Sequence, residues 1–311
     1  SGLEFLTIYI GPMALFVVGF PILRRVIRLA KAERITSIAD FIAARYGKAQ
    51  AVAAVVTLIA VVGSVPYIAL QLKAVSISVE TMIVHLDIGP PPPPGTGLVG
   101  DMALFVALAM AAFSILFGTR HTDATEHQEG LMLAVATESA VKLVAFLSVG
   151  VYVTFVMFDG AGGLLAAVRA HPGIASIFQE APNGGRWLVL TMLSFFAALL
   201  LPRQFHVTVT ENNSEAELKR AAWLFPLYLL LINLFVVPVA AAGLLAFGPG
   251  SDGDTFVLAL PMELDSEAVT LAAFVGALSA ATAMVIVETV ALSIMISNDL
   301  VIPLILARRG A

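Results

Sequence analysis

Glu138 and Lys142 stand one helical turn apart in LMLAVATESAVKLVAFLSVG, in the Glu-before-Lys order that favours pairing on a helix. The surrounding run is apolar, and an isolated charge at mid-bilayer costs about 2.5–3.5 kcal/mol on insertion scales, so burial implies partners. Two further ionisable groups lie at comparable depth by residue count: Lys73 in PYIALQLKAVS and Glu288 in MVIVETVAL. The four sum to zero formal charge, as an internally compensated bundle core would. Two chemistries are open to them. Glu138 and Lys142 can form a structural clamp that makes a polar span insertable, or the set can relay protons or ions.

Hydroxyls supply a second candidate set. In GALSAATAM, Ser279 and Thr282 are three apart and share a helix face, among Gly276, Ala277, Ala280, Ala281 and Ala283, which let a neighbouring backbone approach closely. Hydroxyls and freed carbonyls are the hard oxygen ligands that a sodium ion needs, which makes Ser279 and Thr282, with Ala277 beside them, a candidate ion site. The plainer alternative is that both hydroxyls bond back to the preceding turn.

A third set lies in WLVLTMLSFFAALLL, residues 187–201, where Thr191 and Ser194 are the only hydroxyls before the chain turns to Pro202 and Arg203. Fifteen residues make a helix of about 22 Å against a hydrocarbon core of roughly 30 Å. Short or Pro-interrupted spans in transporters usually belong to broken helices that bind substrate or ion near the midplane. Thr191 and Ser194 are then candidate substrate contacts, and Gln71, also inside a span, joins them. The alternative is a short, little-tilted helix with Arg203 snorkelling to the headgroups.

The elements that position these residues follow from composition. Of 311 residues, 59% are hydrophobic and 13% charged, too few charges for a water-soluble surface. Mean hydropathy is +0.95, and several segments exceed eighteen apolar residues. The chain reads as an all-α membrane protein with seven spans, roughly 3–28, 50–84, 99–118, 130–158, 187–203, 221–247 and 267–297. The alternating ten-residue segments of an outer-membrane barrel are absent. There is no cysteine, which excludes disulfides and thiolate metal sites. The chain opens on Ser1 and runs straight into an apolar helix, as an internal piece of something longer does.

Lysine and arginine set the expected orientation. Thirteen of them fall on one side, seven in RRVIRLAKAERITSIADFIAARYGK, against Arg169 and Arg186 on the other. The amino end is therefore expected outside and the carboxyl end in the cytoplasm. Pro90 to Pro94 read as a rigid polyproline spacer in a solvated loop.

Three other signals carry little. GTGLVG at 95–100 matches a dinucleotide-binding pattern, but no strand precedes it and no acidic partner follows about twenty residues on. GPGSDGD lacks the terminal glutamate of a calcium loop. The five histidines are scattered and read as surface residues, His121 and His127 both in a polar loop. No nucleic-acid partner is expected.

Four stretches together, TSIADFIAARYGK, PYIALQLKAVS, GTRHTDATEHQEG and ALSAATAM…SNDL, resemble the sodium:solute symporter family. LPRQFHVTVTEN followed by AAWLFPLYLLL is similar to the variant of that family fused to bacterial sensor histidine kinases. The resemblance covers essentially the whole of residues 1–311 as one transmembrane domain. It implies a partial five-plus-five inverted-repeat transporter bundle holding core helices two to eight, with the first core helix before Ser1 and the last two, and any kinase modules, after Ala311. It makes the 187–203 span the broken sixth helix. It places sodium-coordinating hydroxyls on the eighth, where the family often has an adjacent Ser-Ser or Ser-Thr pair and this chain has SAAT, leaving Ser279 and Thr282. Glu288 maps to no symporter role. The implied partners are the lipid bilayer of the bacterial inner membrane, a small polar solute such as an amino acid, sodium or protons as coupling ion, and kinase modules of the same chain. No other cofactor is implied, and the segment carries no catalytic residue.

Overall fold

The computed structural model describes residues 2–86, 102–118, 129–179 and 183–309, and no strand occurs among them. The helices are α1 (Thr7–Val17), α2 (Phe20–Glu33), α3 (Ile38–Arg45), α4 (Gln50–His85), α5 (Met102–Gly118), α6 (Glu129–Val151), α7 (Ala161–Ala170) and α8 (Pro172–Gln179). After them come α9 (Gly184–Leu200), α10 (Pro202–Phe205), α11 (Glu215–Asn233), α12 (Val236–Phe247), α13 (Phe256–Glu263), α14 (Glu267–Ile296) and α15 (Ile302–Arg309). The polyproline spacer, the GTGLVG stretch and the loop with His121 and His127 lie outside the described residues.

Four helical stretches are long and apolar enough to cross a membrane: Gln50–His85, Gly130–Met157, Glu215–Phe247 and Glu267–Arg308. Two bent pairs raise the number to six if each is one span. The apolar α5, at 17 residues, is shorter than these. The chain is a multi-pass helical membrane protein.

Both bends follow from local sequence. Leu201 precedes a proline, whose ring disfavours helical geometry in the residue before it, and Leu201 is accordingly extended at φ −66°, ψ 140°. Pro202 then starts α10 at the one place where its missing N–H costs nothing. The axis turns by 57°. The first span, expected as one apolar segment over roughly 3–28, bends by 69° between α1 and α2, around Gly19 and Pro21. A Cβ on Gly19 would lie 2.9 Å from the Phe195 ring, so the bend is also a close packing point against α9.

Beyond the first bend, α2 is amphipathic. Leu23, Ile27 and Ala30 are buried at helical spacing, and Arg24 and Arg28 emerge elsewhere to share the carboxylate of Glu215 at 2.6 and 2.5 Å. Reciprocal caps start α3 and α11. Ser37 Oγ accepts from the Asp40 N–H while Thr36 N–H donates to Asp40, and Ser214 with Glu217 repeats the device at α11.

Two cores organise the bundle. One joins α1, α2 and α3 to the α9–α10 break around Leu15, Leu23, Ile27 and Phe205. The other joins α6, α7, α12 and α13 around Val149, Val153, Ala242 and Leu260. Between α4 and α14 runs a long antiparallel seam: Thr57 meets Asp299, Ser64 meets Glu288 and Tyr67 meets Met284. On its other side α14 packs on α6 so closely that a Cβ on Gly276 would sit 2.4 Å from that of Ala145. Gly276 of GALSAATAM serves this approach, whereas Ala281 is buried with Val75 of α4 and Val106 of α5.

Candidate functional site

The broken helix borders a cavity of about 700 Å³, enclosed with α1, α6 and α11. Its walls are mostly apolar (Ile8, Phe16, Met132, Ala197, Phe225) with polar groups contributed by Ser194, Gln204, Thr208, Glu211 and Asn212. Large, mostly apolar pockets with a few convergent polar groups are the usual form of a small-molecule site.

Of the expected substrate contacts, Ser194 lines this cavity and Thr191 and Gln71 do not. Ser194 donates its hydroxyl proton to the Leu190 carbonyl at 2.8 Å, and Thr191 does the same to Trp187 at 2.9 Å. Both therefore tie off their own helix. The ridge they form is a contact surface: a Cβ on Gly11 of α1 would stand 2.6 Å from Ser194 Cβ and 2.7 Å from the Thr191 carbonyl oxygen.

Immediately after α10 the chain makes a π turn, His206–Thr210, in which the Glu211 N–H reaches back five residues to the His206 carbonyl at 2.9 Å. Single π turns of this sort concentrate at functional sites. Here one turns the buried His206 toward the buried Glu211, with Nε2 3.3 Å from Oε1. His206 departs from the surface reading of the histidines; His85 and His171 are exposed in accord with it. Burial of His206 follows from the break, which lays α10 against α14 and the π turn against α2. Arg203 moves with it. Rather than snorkelling, its guanidinium lies 5.4 Å from the Tyr67 ring centroid and donates to the Tyr67 hydroxyl at 3.2 Å.

The candidate ion site divides. Ser279 donates to the backbone carbonyl of Glu138 on α6 at 3.1 Å, stitching α14 to α6, whereas Thr282 bonds back to Leu278 at 2.6 Å. Ala277 is half-buried beside them.

The four intramembrane charges do not assemble into one group. Lys73 is exposed: two residues on from Gln71, it lies about 200° around α4 and on the opposite face. No ion pair within 4 Å joins Glu138 to Lys142. Lys142 instead stands 5.8 Å from the Tyr228 ring centroid, and Glu138 Oε2 has no hydrogen-bond partner among the described residues. Residue count gives depth but no azimuth, which is why the compensated set does not form. Only Glu288 is fully buried, at 4% exposure.

Glu288 accepts from the Ser64 hydroxyl at 2.5 Å. Asp299, 8% exposed, accepts from Thr57 at 2.8 Å, and its backbone carbonyl takes the Gln50 amide at 2.9 Å. Sequence reasoning placed the last span's end at 297 and missed Asp299, because a π turn at Ser297–Val301 carries the helix on into α15. One signal was available: Gln50, Thr57 and Ser64 recur every seven residues of α4, as a polar stripe facing one partner helix does.

No family model matches the chain, and no solved structure matches it significantly. Among curated proteins it is similar to one described as uncharacterized symporter YhjB of Bacillus subtilis (strain 168), 24% identical over 270 residues. The match covers 85% of this chain and 50% of that protein, so the chain spans about half the length of its relative.

Proposed function

We propose that this chain is the transporter-like core of a membrane protein that binds and carries a small polar, amino-acid-like solute, coupled to sodium or protons. The broken α9–α10 helix beside the 700 Å³ cavity carries the reading, because a break inside an apolar helix leaves backbone groups free to meet a solute. The distant similarity to a protein described as a symporter supports it. So does a recurrence in the chain: two consecutive helices, a short helix and a long helix occur as α1 and α2, α3, α4 and again as α11 and α12, α13, α14. The equivalent members touch, α1 on α11 and α4 on α14, and α4 runs antiparallel to α14, as an inverted repeat requires. In this reading the Arg-rich end faces the cytoplasm.

The test is uptake by the full-length protein in proteoliposomes, over a panel of labelled amino acids and small polar solutes, with imposed sodium or proton gradients. Accumulation of one solute class, lost when the gradient is collapsed and blocked by Ser194→Phe, is the expected result. No accumulation of any solute, and no solute-induced thermal stabilisation, would refute the reading.

The resemblance of LPRQFHVTVTEN to the kinase-fused variant extends the proposal: solute occupancy shifts the bundle between two states and biases kinase modules of the same protein. Reading the coding sequence past Arg309 tests it, by presence or absence of a phosphoacceptor-histidine helix and a glycine-rich ATP lid.

A further inference from the structure

We infer that the groove between the α1–α2 bend and the start of α11 binds one anionic phospholipid, its phosphate at Lys219 and one acyl chain along α11. The inference goes beyond the transport reading and stands whether or not the cavity carries a solute.

Charge marks the level of the membrane surface on two helices independently. No charged residue occurs in α1, whereas α2 brings Arg24, Arg25, Arg28 and Lys31 within fourteen residues. The start of α11 holds Glu215, Glu217, Lys219 and Arg220, and no charged residue then follows through Phe247. Clustered charges of this kind are kept out of hydrocarbon. Its edge therefore lies between Phe20 and Arg24 on one helix and just past Arg220 on the other. The two edges meet at one place: Phe20, Lys219 and Trp223 line the same groove, of about 610 Å³. Trp223, 59% exposed, stands at the level where tryptophan rings gather in membrane proteins.

The groove has a single charged end. Of its nine lining residues only Lys219 carries a charge. From there Trp223, Pro226, Leu227 and Leu230 continue it along α11, about 16 Å from Lys219 to Leu230 by helix rise. Phe16 and Val17 form the facing wall. Val17 and Leu230 are 62% and 61% exposed, so the trough is open on its outer side, as a lipid chain requires.

The charge balance makes the head an anion. Across residues 20–28 and 215–223, five cations stand against two carboxylates. Glu215, one turn before Lys219 and its natural partner on the helix, is held instead by Arg24 and Arg28. Glu217 lines the 700 Å³ cavity and accepts from the Asn213 N–H. Lys219 is left with no ion pair among the described residues. Arg25 and Arg220 are exposed as well, yet neither lines the groove, which singles Lys219 out. Basic pockets beside apolar helix surfaces receive acidic headgroups, and a lysine stem can lie on the apolar wall while its ammonium meets the phosphate. A zwitterionic head would bring its own ammonium into a cluster that is already positive.

The test is lipid retention by the full-length protein in native mass spectrometry, after reconstitution in equal parts phosphatidylglycerol and phosphatidylcholine. One phosphatidylglycerol is expected to stay bound under activation that strips phosphatidylcholine. Lys219→Gln, at an exposed position, is expected to weaken retention about fivefold, as loss of one lysine beside an anionic head does. Lys219→Arg should restore it, and Arg25→Gln should leave it near wild type. Ala222→Phe, which fills the groove beside an intact Lys219, should displace the lipid. Excess glycerol phosphate should not compete, because it brings the head without the chain. Retention of neither lipid would mean that another part of the protein covers the groove. Equal retention of both would leave only boundary lipid, and equal losses in Lys219→Gln and Arg25→Gln only diffuse attraction. Competition by glycerol phosphate would make this an anion site without a lipid. Any of these four results overturns the inference.

Discussion

The two halves of α14 bury their polar atoms by different rules. From Gly276 to Thr282 the helix presents small residues to α6, and each hydroxyl is satisfied by a backbone carbonyl, Ser279 across the interface and Thr282 within its own turn. From Glu288 on to Asp299, in the π turn that continues it, two carboxylates face α4, and each is met by a hydroxyl projecting from the partner. The first half is held by backbone proximity and tolerates the loss of a side-chain oxygen. The second is held by the side chains themselves. A contact made by backbone shape and one made by side-chain chemistry follow each other along one stretch of helix.

The largest effect that could break this contrast is steric. Gly276→Leu drives a side chain into Ala145, and overpacking of this sort costs about 1–3 kcal/mol or more. The full-length protein should lose several degrees of melting temperature in detergent, with Gly276→Ala intermediate. A melt unchanged in Gly276→Leu would mean the two helices are not in contact. Next in size is Asp299→Ala, which leaves the Thr57 hydroxyl, at 0% exposure, without its acceptor, for about 1–3 kcal/mol. Asp299→Asn keeps an acceptor and should recover more than half of that loss in the same melt.

Comparable in size is Ser64→Ala, which removes the hydroxyl that meets the buried Glu288 carboxylate, for about 1–3 kcal/mol in the same melt. A melt unchanged in Ser64→Ala would mean that this part of the seam is not held by its side chains. Smallest is Thr282→Val, whose hydroxyl serves only its own turn, with a change within about 0.5 kcal/mol. If sodium-dependent stabilisation is observed and vanishes in the Ser279→Ala, Thr282→Val double variant, the first half is the ion site and the contrast is inverted.

Much of this was legible in the sequence, and the exceptions have physical causes. Hydropathy and span length reveal the membrane class. The fifteen-residue run stopped by Pro202 offered the broken helix as one of two readings, and the bend is local, set by proline's missing N–H and its effect on Leu201. The 69° bend at Gly19 was overlooked because apolar composition continues unbroken across it. Glu288 stood out as an acid in a span, but its partner could not be named: Ser64 lies 224 residues away, and pairing at that distance is a property of topology. Asp299 and His206 were missed for a shared reason. Each lies in a π turn, which shifts the azimuth of later side chains by a residue's worth of rotation, and 3.6-residue periodicity has no symbol for that.

Gly150 of α6 has a mechanical consequence. A Cβ there would stand 2.2 Å from Phe235, the residue at the turn between α11 and α12, so the aromatic ring is seated against bare backbone. A ring lodged in a notch of that depth works like a gear tooth: α12 cannot slide past α6 without disengaging it. The notch is one methyl group deep, so Gly150→Ala would unseat the ring and part α12 from α6.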